Sequence, residues 1–280
     1  MTAAPFTAAS FTAACVQVSA GPEIGPNLAA AGVLVRRARD AGADFIAMPE
    51  NVSLIVQGRE KVLARVRPES EHPAVPYFRE LARETGAWLL VGSLGVALAD
   101  GRVGNRSFVI DNTGEIRARY DKIHMFDVDL PGGESYRESA TFRPGERAVV
   151  AETPWGGLGL TICYDVRFAY LFRALAQNGA GIITVPAAFT VPTGRAHWHI
   201  LLRARAIETG CFVIAPAQCG SHDEGRQTYG HSLIISPWGE ILAEAGEEPG
   251  VIAARVDMAR VAECRGMVPA LRHDRSFTGP

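Results

Sequence analysis

The stretch from Gly157 to Phe168 constrains this chain most. Gly157-Leu158-Gly159-Leu160-Thr161-Ile162 is an apolar, glycine-punctuated run that reads as a buried strand and stops abruptly at Cys163. A helix-like run, residues 168–177, follows at once. A strand that hands over to a helix at one sharp corner belongs to an α/β architecture, and the corner is a place where backbone N–H groups point outward. A cysteine there is a candidate nucleophile, because the positive end of a helix lowers a thiol pKa. The competing reading is a buried structural cysteine, a common fate for free Cys. This stretch alone leaves both open.

The rest of the chain repeats the α/β signal. Residues 11–18 read as a buried strand, and Asn27 caps a helix running to about residue 41. Residues 44–50 form a second short apolar strand, the βαβ pattern. Two amphipathic helices (59–67 and 73–85) follow, then a strand at 87–93. A hairpin joins 94–99 to 106–111 through Asp100-Gly101, and another strand covers 116–120. Residues 121–147 are polar and turn-rich, and a loop of that length in a compact domain is usually functional. Beyond the Cys163 corner come a strand (181–186), a loop (187–194), a helix (196–209) and a strand (211–216). A loop (218–229), a meander of three strands (232–236, 240–245, 251–256) and a short helix (257–264) complete the pattern.

Composition removes several function classes. With 28 Lys and Arg against 30 Asp and Glu the formal charge is -2, and no basic block stands out, which argues against a nucleic-acid partner. No apolar run approaches the ~18 residues of a membrane span. Residues 1–10 lack a basic region ahead of an apolar one and read as a disordered tail, leaving 11–280 as a single domain. The five cysteines (Cys15, Cys163, Cys211, Cys219, Cys264) are odd in number and show no CxxC spacing, which implies neither a disulfide framework nor a zinc site and fits a reduced, cytoplasmic protein.

Glu50 and Lys122, like Cys163, stand at strand ends, where α/β sheets place their chemistry. Each charge alone would pass for a solvated loop residue. Together they fit one reaction: a thiolate attacks a carbonyl carbon, a carboxylate carries the proton, and a cation meets the developing oxyanion. The backbone N–H of Tyr164 is a candidate second oxyanion donor. Glu138, 16 positions after Lys122, is a candidate to keep that lysine charged.

Met48-Pro49-Glu50-Asn51, Tyr120-Asp121-Lys122-Ile123-His124 and Ile162-Cys163-Tyr164-Asp165-Val166-Arg167-Phe168 resemble the three signature boxes of the nitrilase superfamily of carbon–nitrogen hydrolases. The resemblance runs over residues 12–276. It implies a four-layer α-β-β-α sandwich that pairs with a second subunit through its helical layer. It also implies a Glu50, Lys122, Cys163 triad, with Glu138 as a second active-site glutamate and no cofactor or metal. Ala196-His197-Trp198, residues 202–208, Ala217-Gln218-Cys219-Gly220 and Tyr229-Gly230-His231-Ser232 with Pro237-Trp238-Gly239 are similar to the Nit subgroup. The Ala-Gln-Cys-Gly run favours the deaminated glutathione amidase type over omega-amidase. Position 199 departs from the pattern: His199 stands where a glutamate is expected.

This resemblance implies hydrolysis of a small amide substrate beside a carboxylate. Arg167 is the candidate to hold a 2-oxo acid carboxylate, with a structural ion pair to Asp165 as its alternative, and Thr193 is a candidate hydroxyl from the loop before the helix. Two rivals stand beside this reading. One is a metal hydrolase using His197, His199, His222 and His231, disfavoured because His197 and His199 face different sides of a helix. The other is a binding protein that has lost catalysis.

Overall fold

A computed structural model describes residues 10–130, 133 and 135–279. The expected tail at 1–10 lies outside the described residues except for Ser10, which opens the first strand. In chain order the elements are β1 (Ser10–Gln17), α1 (Ile24–Asp40), β2 (Phe45–Ala47), α2 (Arg59–Arg65), α3 (Ala74–Thr85), β3 (Trp88–Ala97), β4 (Val103–Ile110) and β5 (Ile116–Asp121). Two short strands, β6 (Asp127–Asp129) and β7 (Ser135–Arg137), pair in the long polar loop. Then come β8 (Val149–Thr153), β9 (Gly156–Leu160), α4 (Ala169–Gln177), β10 (Ala180–Thr184), α5 (Val191–Thr209) and β11 (Phe212–Ala215). A small hairpin, β12 (Cys219–Ser221) and β13 (Gln227–Tyr229), precedes β14 (Leu233–Ile235), β15 (Ile241–Glu244), β16 (Gly250–Asp257) and α6 (Ala259–Met267).

The strands form two six-stranded sheets, in the orders β16-β1-β2-β3-β4-β5 and β15-β14-β11-β10-β9-β8. Each has a parallel centre, β1 to β3 and β9 to β11, flanked by antiparallel strands. Parallel strands covered on both faces must be apolar throughout, and β2 (Phe-Ile-Ala) and β10 (Ala-Gly-Ile-Ile-Thr) are buried at every position. Helices α1 and α3 cover the outer face of the first sheet with Leu28, Val35, Phe78 and Leu81. Helices α4 and α5 cover the second with Phe172, Leu175, Trp198 and Leu202. Between the sheets pack Phe45, Leu90, Val109, Leu160 and Ile234. This is the α-β-β-α sandwich.

Local expectations shift in four places. β3 is one strand where two, 87–93 and 94–99, were expected; a register shift between Val91 and Leu94 carries the ladder past Gly92-Ser93. Asn27 does not cap α1, which begins three residues earlier. Instead its side chain bonds Gly21 N–H and O (both 2.8 Å) and Ser53 O (2.9 Å), tying the β1–α1 loop to the segment after Glu50. The closing meander is divided: β14 and β15 belong to the second sheet, whereas β16 crosses over to pair with β1. Finally, α5 starts at Val191, because Pro192 sits in the first helical turn, where its missing N–H has no helical acceptor to lose.

Candidate active site

Glu50 lies three residues past β2, and its delivery depends on Gly92 in the adjacent β3. A Cβ at position 92 would lie 2.0 Å from Met48 O and 2.4 Å from Pro49 O, so only glycine lets the strands close here. Asn51 follows in a left-handed conformation (φ 54°), held by its N–H donating to Ser93 Oγ at 2.8 Å. Gln218 Nε2 donates to Glu50 O at 3.0 Å. The buried carboxylate accepts from Lys122 Nζ (3.0 Å) and Asn105 Nδ2 (2.9 Å) on Oε1, and from the Ala188 N–H (2.9 Å) on Oε2.

Lys122 directly follows β5 and is 2% exposed. Its Nζ sits between two carboxylates, donating also to Glu138 Oε1 and Oε2 at 3.0 and 2.9 Å. Glu138 is fixed in turn by the Phe126 N–H, 2.7 Å from Oε2. Burial opposes the charged ammonium, but Glu138 and Glu50 overcome that and hold the Lys122 pKa well above its ordinary value. Any metal bridging these glutamates would have to take the place of Nζ.

Cys163 opens a short 3-10 turn, Cys163–Arg167, with φ 49°, a strained conformation for a non-glycine residue. Two anchors hold it. The Cys163 N–H donates to Pro186 O at 2.9 Å. Fully buried Asp165 accepts from Ile162 N–H (2.8 Å) and Tyr120 Oη–H (2.7 Å) on Oδ2, and from the His124 N–H (3.1 Å) on Oδ1. The expectation of a thiol acidified by a helix start is corrected here. The turn is too short to act as a helix end, and burial together with the Glu50 charge pushes the thiol pKa well above its ordinary value, against the pull of Lys122. Burial also works against Glu50 ionisation. Lys122 and the hydrogen bonds from Lys122, Cys163 and Asn105 outweigh it, and the Glu50 carboxyl stays below its ordinary value. The resting pair is therefore a neutral thiol beside an ionised carboxylate.

These groups line a cavity of about 350 Å³. Tyr164 and Phe189 contribute aromatic faces, Thr190 and Thr193 hydroxyls, and Arg59, Arg137 and Arg226 positive charge. Arg137 is neutralised by Asp129 at 2.9 Å. Arg226 donates to Ala188 O at 3.2 Å and lies over the Tyr136 ring, but among the described residues no carboxylate pairs with it and its Nε has no hydrogen-bond partner.

The family model described as carbon-nitrogen hydrolase matches residues 12–266. The chain belongs to the carbon-nitrogen hydrolase family. A deaminated glutathione amidase of Synechocystis is 40% identical over 269 residues, covering 94% of this chain and 97% of that one. The crystal structure of the Caenorhabditis elegans NitFhit protein superposes with a TM-score of 0.88 at 35% identity over 95% of this chain; the match spans 65% of that longer protein. An amidase from Nesterenkonia sp. AN1 is 28% identical, with a TM-score of 0.78 over 92% of this chain and 98% of its own. A mutant of that amidase has been solved with acrylamide joined to its active-site cysteine by Michael addition.

In this carbon-nitrogen hydrolase, an enzyme of amide C–N bonds, the tertiary structure brings Glu50, Lys122, Glu138 and Cys163 together. Thr193 also lines the cavity, but from the first turn of α5 and not from a loop, with its Oγ1 2.8 Å from Thr190 Oγ1. Arg167 stands behind the lining: its guanidinium lies 5.7 and 5.5 Å from the ring centres of Tyr164 and Phe189 and 3.4 Å from His197 Nδ1. The alternative pairing with Asp165 is not formed, because that carboxylate is committed to Tyr120, His124 and Ile162. The histidines do not assemble around Cys163. His222 uses both ring nitrogens on Ala20 O and Thr228 Oγ1, and His199 and His231 meet Glu244 instead. Sequence reasoning missed Asn105, Arg226 and the Ala188 N–H. Asn105 lies inside an ordinary strand and Arg226 in a polar loop, so neither carries a local signal of its role.

Proposed function

We propose that this carbon-nitrogen hydrolase is a deaminated glutathione amidase that works through a Cys163 thioester. The observations that carry it are a buried Cys163 beside Glu50, whose carboxylate accepts from Lys122, Asn105 and the Ala188 N–H, in a cavity also lined by Arg226, which no carboxylate among the described residues pairs with. Glu50 takes the Cys163 proton as sulfur bonds to the amide carbon. The carbonyl oxygen becomes an oxyanion that Lys122 Nζ and the Tyr164 N–H stabilise. On collapse the C–N bond breaks and Glu50 returns the proton to the leaving amine. Water then attacks the thioester with Glu50 as base, releasing a 2-oxo acid and the free thiol. Glu138 keeps Lys122 protonated and placed.

Deaminated glutathione is an amide of 2-oxoglutarate with a dipeptide, so it carries a carboxylate at each end. Thr193 is assigned to the 2-oxo acid end and Arg226 to the carboxylate of the leaving dipeptide, while Arg167 acts on the site only through the Tyr164 and Phe189 rings that it backs. The relative from Synechocystis carries the same activity in its name. The test compares release of 2-oxoglutarate from deaminated glutathione and from 2-oxoglutaramate, which forms the same acyl group but releases only ammonia. A strong preference for the first is expected, and it should shrink at least about tenfold in Arg226→Gln. A parent preference for 2-oxoglutaramate would move the assignment to omega-amidase. The protein is further read as a cytoplasmic homodimer formed through the helical layer, where Ile200 and Ile207 on α5 are exposed; analytical ultracentrifugation tests the dimer.

A further inference from the structure

Three side chains that the proposed chemistry does not use converge beside the middle of α5. His199 projects from that helix, His231 from the segment ahead of β14, and Glu244 from the end of β15. His199 Nε2 lies 2.9 Å and His231 Nδ1 3.1 Å from the same oxygen, Glu244 Oε1. The three donor atoms fall within 4.8 Å of one another. Around a tetrahedral zinc ion with bonds near 2.0–2.2 Å, ligand atoms stand roughly 3.3 Å apart. Both nitrogen–oxygen separations are within a few tenths of an ångström of that value.

The rings are held in place. His231 has φ 53°, an uncommon conformation for a non-glycine residue. It is clamped by Trp198 Nε1–H donating to its carbonyl at 2.8 Å and by its own N–H donating to Gly246 O at 3.0 Å. Its ring stacks on Tyr229, with centroids 4.3 Å apart, and the His199 ring stands edge-on to both. Side chains of the three ligands remain 20–40% exposed, so an ion has a route in and a coordination position is left for water. Neither cysteine nor a second carboxylate is in the set. Two imidazoles and one carboxylate suit a zinc-class ion and not magnesium or calcium, which prefer oxygen ligands.

We propose that His199, His231 and Glu244 form a divalent transition-metal site of the zinc class, separate from the Cys163 cavity, that fastens α5 to β15. On binding, the hydrogen bonds from the two imidazoles to Glu244 give way to metal bonds, and any imidazolium proton passes to solvent.

Cys163 is itself a potential zinc ligand, so the test uses the full chain carrying Cys163→Ala. Titration with zinc against a chromophoric chelator is expected to show one ion per chain and a Tm that rises with zinc but not with magnesium. His199→Ala and Glu244→Gln, each placed in that background, should weaken binding at least about tenfold and abolish the Tm rise while the circular dichroism spectrum stays unchanged. Absence of binding in the Cys163→Ala chain would overturn the proposal. So would full stoichiometry and affinity retained in both ligand variants.

Discussion

Residue by residue, the site rests on where one proton sits. Burial and Glu50 raise the Cys163 pKa, and Lys122 together with the hydrogen bonds Glu50 receives from Lys122, Cys163 and Asn105 lowers that of Glu50. The combination that the proposed mechanism uses, ionised Glu50 with neutral Cys163, thus exists from below the ordinary glutamate range to above the ordinary thiol range. kcat/KM should be level between about pH 5 and 8.5, with its acid limb below ~4.3 and its basic limb above ~8.5. Thiolate absorbance at 240 nm, parent minus Cys163→Ala, should be missing at pH 8.5; a thiolate already present at pH 7 would contradict the assignment. Glu50→Gln keeps the shape but removes the proposed base, and should lower kcat by at least about a thousandfold with folding retained. Asn105→Leu removes a donor from Glu50 and Glu138 together. It is expected to raise the acid limb toward the ordinary glutamate value, a shift that loss of packing alone would not produce.

Elements set the tolerances of the site. β2 is only three residues long, yet it aims Glu50 because β3 passes close beside its continuation at Gly92. Gly92→Ala should cost about 3 kcal/mol or more, read from the urea midpoint, since a Cβ there meets backbone oxygens that cannot turn aside. The 3-10 turn after β9 does the same for Cys163. Its position in the sequence was legible, because the apolar run ends where the strand does. Its φ of 49° and its raised thiol pKa were not, since both depend on Pro186, Asp165 and Glu50 arriving from elsewhere. The start of α5 was misplaced for a local reason: Pro192 and Gly194 signal a loop, yet Pro is acceptable in a first turn and Gly194 is required by the Tyr229 ring, 2.3 Å from where its Cβ would be.

Across the molecule, the decisive feature is that the site straddles two sheets. Glu50 and Lys122 hang from the first and Cys163 from the second, so the distance between the Glu50 carboxylate and the Cys163 thiol is set by the packing of the sandwich. Tyr120, at the end of the first sheet, donates to Asp165 under the Cys163 turn and is 1% exposed. Tyr120→Phe leaves one oxygen of a buried carboxylate short of a partner and should cost about 2 kcal/mol. Because the link joins the sheets, kcat should fall as well, with KM little changed; unchanged stability and kcat would show that the sheets hold the site without it. The alternation of strands and helices, the family, and the positions of Glu50, Lys122 and Cys163 are readable from the chain alone, because each is written in a short contiguous run. Folding was needed to show that Asn105, Ala188 and Arg226 join the site, that Arg167 stands behind its aromatic wall, and that His199 meets His231 and Glu244. Those groups come from segments far apart in the chain, and what brings them together is burial between sheets and helices, which leaves no local trace in any one of them.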